Sequence, residues 1–295
     1  MRATGFAVTL IALLLATPGW AQPAPAPAAA VPATGTGPAN GTGIPGTDLG
    51  GGSLSSSGGP VEIDASEGIE WRRDENVYIA SGNARAARGD TSINADKLIA
   101  HYRGDATGKT NIYMIEAVGH VVMVAKDSRI TGDHLVYNLD RGSAIVTGND
   151  LRATSKDQYV TARDSLEYWE KQNAVVARGK AVAGAPQQEV KADMLTGYFH
   201  LDKTGAKKLY QVEATGNVLI TSKGSIARAA KAIYNVESDV ATLEGGVKIT
   251  RGKNQINGEH AIYNLKTGQA KITGGGNQVK TLLVPGSDNS GPLTP

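Results

Sequence analysis

The feature that most constrains this chain is a repeat inside a repeat. Residues 116–142 read EAVGHVVMVAKDSRITGDHLVYNLDRG. At a period of two, Val121 and Met123 fall on one face and His120 and Lys126 off it, which describes a half-buried strand rather than a helix. A second strand follows, with Asp133, Leu135, Tyr137 and Leu139 on one face and His134, Val136 and Asn138 on the other. Residues 138–142 then supply turn chemistry. The DHLVY of residues 133–137 returns as DSLEY at 164–168, AKAIY at 230–234 and EHAIY at 259–263. Glycines expected to mark turns recur at Gly82, Gly119, Gly148, Gly179, Gly216, Gly245 and Gly276, with spacings of 37, 29, 31, 37, 29 and 31 residues. The short unit therefore sits inside a 97-residue period: EAVGHV at 116–121 matches EATGNV at 213–218, and ADKL at 95–98 matches ADML at 192–195. Such fixed-period self-similarity predicts a tandem array in which each unit buries its apolar face against its neighbours.

Composition narrows what the array is built from and what it can do. With two Phe and ten Tyr in the whole chain, the interior must be made of Val, Ile, Leu, Ala and Tyr. The 30 basic and 28 acidic residues are interleaved, so no basic stripe offers itself to a phosphate backbone. Cysteine is absent, which removes disulfides, thiolate chemistry and Cys-based metal sites.

Taken in order, residues 1–21 read as a signal peptide: Arg2 at the charged end, an apolar run at 6–16, and Gly19, Trp20 and Ala21 at the cleavage site. The run is short for a bilayer span, and an uncleaved inner-membrane anchor is the alternative. Residues 22–60, rich in Pro, Ala and Gly, are expected to be a disordered tether. Residues 61–276 carry the repeats, and 277–295 form a flexible C-terminal tail with room for a short strand at 279–284. Links between strands are too short for parallel crossovers. The expected fold is all-β, an elongated antiparallel β-jellyroll of about 14–16 short strands in two facing layers.

Catalytic and metal chemistry find no support in the residues. His101, His120, His134, His200 and His260 stand singly, with no HxxxH or HExxH spacing. The recurring acids Asp96, Asp133, Asp164, Asp193 and Glu259 are spaced along the array, where a glycosidase needs two carboxyls across one bond. They are expected to cap strand ends and hold register, and no catalytic residue, metal site or cofactor is assigned. The apolar face is more informative. Leu98, Val121, Met123, Leu135, Tyr137, Leu195, Val218, Ile220, Tyr234, Val247, Ile249 and Tyr263 recur at matching positions. Either they close on one another as a sandwich core, or the layers splay and these residues line a hydrophobic groove. At the ends of the array, Ile69 and Trp71 on the first strand and Lys271, Ile272 and Thr273 on the last are candidate edges for pairing with another chain.

Certain motifs carry a family resemblance. ATGNVLI at 214–220, AVGHVVM at 117–123 with His in place of Asn, IxGDxxxYNLxxG at 130–142 and INGExxxYNLxxG at 256–268 resemble the OstA-like repeats of the lipopolysaccharide transport bridge, most closely its soluble LptA-type periplasmic members. The resemblance covers residues 69–276. It implies a jellyroll with an open groove that binds the acyl chains of lipopolysaccharide in the periplasm. It also implies head-to-tail assembly with its own copies and with inner-membrane-anchored and outer-membrane proteins of the same fold, driven by an inner-membrane ATP-driven transporter. The long tether and the 97-residue duplication depart from the family pattern. The competing reading is a non-catalytic structural or adhesive β-repeat protein of the cell envelope, for which near-constant rungs of about 20–25 residues would be expected. A carbohydrate-active solenoid ranks last for want of converging acids. If the last strand is an assembly edge, proline at Lys271 is expected to abolish concentration-dependent association in sedimentation without unfolding the monomer; unchanged sedimentation would count against end-to-end pairing.

Overall fold

The computed structural model describes residues 62–88, 91–104, 110–125, 128–186, 188–203, 207–222, 224–264, 267 and 269–284. The expected signal peptide, the tether and the end of the tail lie outside the described residues. Eighteen strands follow one another with no helix among the described residues. The first unit comprises β1 (Glu62–Asp64), β2 (Gly68–Arg72), β3 (Val77–Arg88), β4 (Thr91–Gly104), β5 (Thr110–Ala125), β6 (Ser128–Asn138), β7 (Ser143–Thr147) and β8 (Arg152–Ser155). The second comprises β9 (Gln158–Thr161), β10 (Ser165–Trp169), β11 (Ala174–Ala185), β12 (Gln188–Leu201), β13 (Lys207–Ser222), β14 (Ser225–Asn235), β15 (Val240–Arg251), β16 (Asn254–Asn264), β17 (Gln269–Thr273) and β18 (Lys280–Leu282).

All pairings are antiparallel and the strands form one sheet, as the short links require. The count exceeds the expected 14–16 because the first, last and central rungs are each split into two half-length strands, while the rest run to 11–16 residues. The duplication is visible in the strand lengths: β3 to β6 have 12, 14, 16 and 11 residues, and so do β11 to β14.

A single sheet with one apolar face and no helix to cover it must cover that face with itself. The device is a bulge at the middle of β3, β5, β11, β13 and β15, where one extra residue enters the bulged strand. Each bulge is a glycine followed by a second residue with positive φ: Gly82 and Asn83, Gly119 and His120, Gly179 and Lys180, Gly216 and Asn217, Gly245 and Gly246. Five of the seven periodic glycines are therefore bulges within strands and not turns. Gly148 and Gly276 alone among the seven fall in links between half-strands. On either side of each bulge the strand continues as an arm, and most buried residues of both arms belong to one core that runs from Ala80 to Ala261, with Ala100, Tyr102 and Ile112 forming a second cluster on β4 and β5.

The recurring acids hold these bulges instead of capping strand ends. Asp96 faces Gly119, Asp164 faces Gly179 and Asp193 faces Gly216 so closely that an added Cβ would meet a carboxylate oxygen at 2.1–2.3 Å. Asp193 accepts from Asn217 Nδ2 at 2.8 Å, and Asp96 Oδ2 lies 2.8 Å from His120 Nδ1. Asp133 serves the link after β7, accepting from the Asn149 backbone N at 2.7 Å and its side chain at 2.9 Å. Ala230 takes the acid's place opposite Gly245.

The two units join without a break in the sheet. β7 pairs with β10, setting Val146 opposite Leu166, and β8 pairs with β9, setting Ala153 opposite Val160. At the far end β18 pairs with β16, at the place where the sequence left room for a short strand.

Because Gly216 combines φ of +76° with a carboxylate in the space of its missing side chain, Gly216→Ala should cost about 1–3 kcal/mol in urea unfolding. Gly104→Ala, with nothing within 4 Å, should stay within about 0.5 kcal/mol. Equal stability of the two variants would remove the bulge as the structural constraint.

Candidate functional site

Following partners from strand to strand resolves the apolar face into three ladders. The first starts at Ile69 and runs through Ala80, Leu98, Ala117, Leu135, Val146, Leu166, Ala177, Leu195, Ala214, Ala232, Leu243 and Ala261 to Ile272. All its members between the two ends are buried, large residues mostly alternating with alanine. It lies next to the bulges and forms the closed spine of the core.

The second ladder lies out along one arm. From Trp71 it passes through Tyr78, Ala100, Ile115, Tyr137, Ala144, Tyr168, Val175, Gly197, Val212, Tyr234, Ala241 and Tyr263 to Ala270. The third lies out along the other arm. It begins at Ile63 and passes through Ala86, Ile93, Met123, Ile130, Ala153, Val160, Ala183, Val190, Ile220, Ala227, Ile249 and Ile256 to Thr281.

Burial falls off outward from the bulge. On β5, Ala117 and Val121 are buried while Ile115 and Met123 are half-buried; on β13, Ala214 and Val218 are buried while Val212 and Ile220 are half-buried; on β15, Leu243 and Val247 give way to Ala241 and Ile249 in the same manner. In cross-section these three rungs are sealed at the fold and partly open at the two arms, whereas β4 and β11 are buried on both arms, at Ile93 and Ala100 and at Val175 and Ala183. Met123, Ile130, Val190, Ile220, Ala227 and Ile249 pack on the core yet remain partly exposed. Over the joint the third ladder closes, with Ala153, Val160 and Ala183 at most 2% exposed.

The twelve candidate groove residues divide accordingly. Leu98, Val121, Leu135, Tyr137, Leu195, Val218 and Val247 are buried, the first six to nine-tenths or more and Val247 to 2% exposure. Met123, Ile220, Tyr234, Ile249 and Tyr263 are half-buried on the outer ladders. Sequence reasoning missed Ile130, Val190, Ala227 and Ile256, which stand beside them on intervening strands. Their signal would have been the register of each hairpin, which places them directly opposite the residues that periodicity did find.

Polar tips line the tyrosine ladder. Burial, followed by the hydrogen bond and charge of Asp239, drives the Tyr234 hydroxyl well above its ordinary range; the hydroxyl donates to Asp239 Oδ1 at 2.6 Å. Burial and then Glu170 push Tyr168 up to about 12, and Lys207 Nζ donates to its hydroxyl. Burial lowers the Lys207 ammonium, with Glu170 acting against it. The histidines are less solitary than their spacing implied. His101 Nε2 lies 3.0 Å and His134 Nε2 3.6 Å from the two oxygens of Glu116, the former without hydrogen-bond alignment. Among the described residues no group of His, Asp and Glu is arranged to hold a metal ion.

The edge candidates sit on half-strands: Ile69 and Trp71 on β2, and Lys271, Ile272 and Thr273 on β17. β2 pairs with β3 and β17 with β16, so the other side of each carries no partner among the described residues. The second arm has edges of its own, β1 and β18, which the sequence reading did not assign.

Comparison with known proteins returns a family model described as LptA/(LptD N-terminal domain) LPS transport protein, which matches residues 62–164 and again 159–269. Among solved structures the chain is similar to the crystal structure of LptH, the LptA homologous periplasmic component of the conserved lipopolysaccharide transport device from Pseudomonas aeruginosa. The identity is 20% and the TM-score 0.37, over 43% of this chain and 95% of that one. No curated protein matches the chain.

The two family matches overlap at residues 159–164, where β9 leads into β10, and β10 carries a buried carboxylate at this joint. Glu167 on β10 is 8% exposed and accepts from Ser165 Oγ at 2.7 Å, Trp169 Nε1 at 2.8 Å and Arg178 Nε at 2.7 Å. Burial pushes its carboxyl up, but the hydrogen bonds from Arg178, Ser165 and Trp169 outweigh burial and hold it below the usual carboxylate range. A depressed carboxylate contributes stability that is present above its unfolded value, near 4.5, and is lost as pH falls through its folded value. Glu167→Gln should therefore cost about 1–3 kcal/mol at pH 7, with the deficit shrinking below about pH 4 in urea unfolding across pH. A deficit independent of pH would mean that the charge is not what holds the joint.

Proposed function

The chain belongs to the family of LptA and LptD N-terminal domain LPS transport proteins, and from that premise we propose that it holds lipopolysaccharide by its acyl chains and passes it across the periplasm as one link of an end-to-end protein bridge. The observation that carries this reading is the pair of outer ladders, apolar along the whole array and partly exposed on both arms in each unit. Proteins seldom leave such contiguous apolar surface open without a ligand for it.

The energetics support an acyl cargo. Each buried methylene is worth about 0.8 kcal/mol, so a chain of about a dozen carbons loses on the order of 10 kcal/mol when it enters water. A lipid with several such chains needs continuous cover. Half-buried residues such as Met123, Ile220 and Ile249, repeated at similar depth, give the chains similar surroundings at each step, so sliding is cheap and its direction must be imposed from outside. In this reading the driving force comes from an ATP-driven transporter in the inner membrane, and the neighbouring links are proteins of the same fold. The competing adhesive array of parallel rungs is disfavoured by the antiparallel ladder throughout.

Photo-crosslinking in cells tests the reading. A photoreactive residue at Met123, Ile220 or Ile249 should capture radiolabelled lipopolysaccharide, and one at exposed Lys248 on the outer face should capture at least about tenfold less. Folded protein that gives no adduct at any of the three positions would return the chain to the class of structural β-repeat proteins.

A further inference from the structure

The arm that carries the second ladder holds a charge in one unit that its repeat does without in the other. In the first unit Trp71 Nε1 donates to the Tyr102 hydroxyl at 2.8 Å, so two neutral groups satisfy each other. One period of 97 residues further on stand Tyr168 and Phe199. Phenylalanine offers no oxygen, and the Tyr168 hydroxyl is met instead by the Lys207 ammonium, which also stands 4.8 Å from the centre of its ring. Lys207 opens β13 opposite Leu201, where the first unit has Thr110 opposite Gly104. A neutral donor would satisfy a tyrosine hydroxyl equally well. The cation is therefore additional to what folding this corner needs.

Its surroundings leave that cation open to an anion. Lys207 is half-buried, and no carboxylate forms an ion pair with it among the described residues. Asp202, at the end of the same hairpin, pairs with the exposed Lys208 at 3.3 Å. Glu170 favours the Lys207 ammonium through its field, without a hydrogen bond, while burial disfavours it. A cation partly withdrawn from water gains most from an arriving anion when no partner charge is already in place. Tyr168 adds a second donor. Its oxygen accepts from Lys207, and its own proton remains to donate, because burial and Glu170 push the hydroxyl up to about 12.

We propose that Lys207, together with Tyr168, is an anion subsite at the rim of the groove and takes a phosphate group of an acylated lipid whose chains lie on the second ladder. The proposal rests on the lipid reading above and names the part of the lipid that is recognised. A phosphate presents enough oxygens to engage both donors at once. The layout of β13 supports the assignment. From the bulge outward its core-facing residues are Ala214, Val212 and Leu209, and the strand begins at Lys207. Apolar contacts thus give way to a cation along one strand, in the order in which an amphiphile presents tail and head. The second ladder also changes at this strand: Val175 and Gly197 are buried, whereas Val212 and Tyr234 are half-buried. Lys207 stands where the arm begins to open.

Dodecyl phosphate and dodecanol share a chain and differ in the head, so the ratio of their affinities reads the subsite alone. Measured by displacement of a fluorescent fatty acid, below the concentration at which either aggregates, the unmodified chain at low salt should bind the phosphate about tenfold more tightly. Raising the salt should shrink that ratio. Lys207→Gln should abolish the preference, Lys207→Arg should keep it, and Lys248→Gln on the outer face should leave it unchanged. Circular dichroism melts report whether each variant is folded. A preference that ignores salt, or that survives Lys207→Gln, overturns the subsite and leaves the apolar groove standing. Equal affinity of the unmodified chain for both compounds does the same. Inorganic phosphate binding as tightly as dodecyl phosphate would make this a site for the free ion and also overturns the proposal. No binding of either dodecyl compound overturns the groove as well.

Discussion

The structure depends on one requirement: the apolar side of a single sheet has to be dried by another part of the same sheet. Side chains alternate along every strand, so one side of the ladder collects Ala, Val, Leu, Ile and Tyr, and no helix lies among the described residues to receive it. A flat sheet would leave that side wet. The glycine-centred bulges bend the long strands at their middles and bring the two arms together. The acid opposite a bulge receives polar groups that the bulge frees from ordinary strand geometry, as Asp193 does for Asn217. Glycine, acid and apolar neighbours are therefore one repeated mechanical part, which explains why they recur together.

Much of this was legible in the sequence, and the misreading is instructive. The 97-residue period, the strand alternation and the antiparallel class follow directly from spacing. The glycines did not declare themselves as bulges, because Gly-Asn at 82–83 and 216–217 is also a hairpin signal and both uses need the same positive φ. Reading them as turns cut long strands into short ones and hid the corner on which the architecture turns. Splitting of the central rungs was equally invisible, since β7 and β8 differ from a continuous strand only in the short link around Gly148.

The outer ladders show a different limit. Met123 and Ile220 were found because they are 97 residues apart on equivalent strands. Ile130, Val190 and Ala227 were not, because their place beside these residues is set by which residue faces which across a hairpin. A one-residue slip would send each of them to the other face. Periodicity reports which face a residue takes on its own strand, while a binding surface that crosses strands is a property of register. The same reasoning explains why Glu116 could gather His101 and His134 from β4 and β6 although the histidines stand alone in the sequence.

In the proposed carrier role, the weak points of such an array are its joints. A gap that wets even three methylenes of a passing acyl chain costs about 2.4 kcal/mol, which slows passage roughly fiftyfold. Fusing two units in one chain removes that hazard at the internal joint, where register is fixed by the covalent link and by Glu167 with its three donors. The fused joint instead presents a closed stretch, where Ala153, Val160 and Ala183 meet on the third ladder. These side chains are small, so the third ladder is narrowest in side-chain bulk where the two units meet.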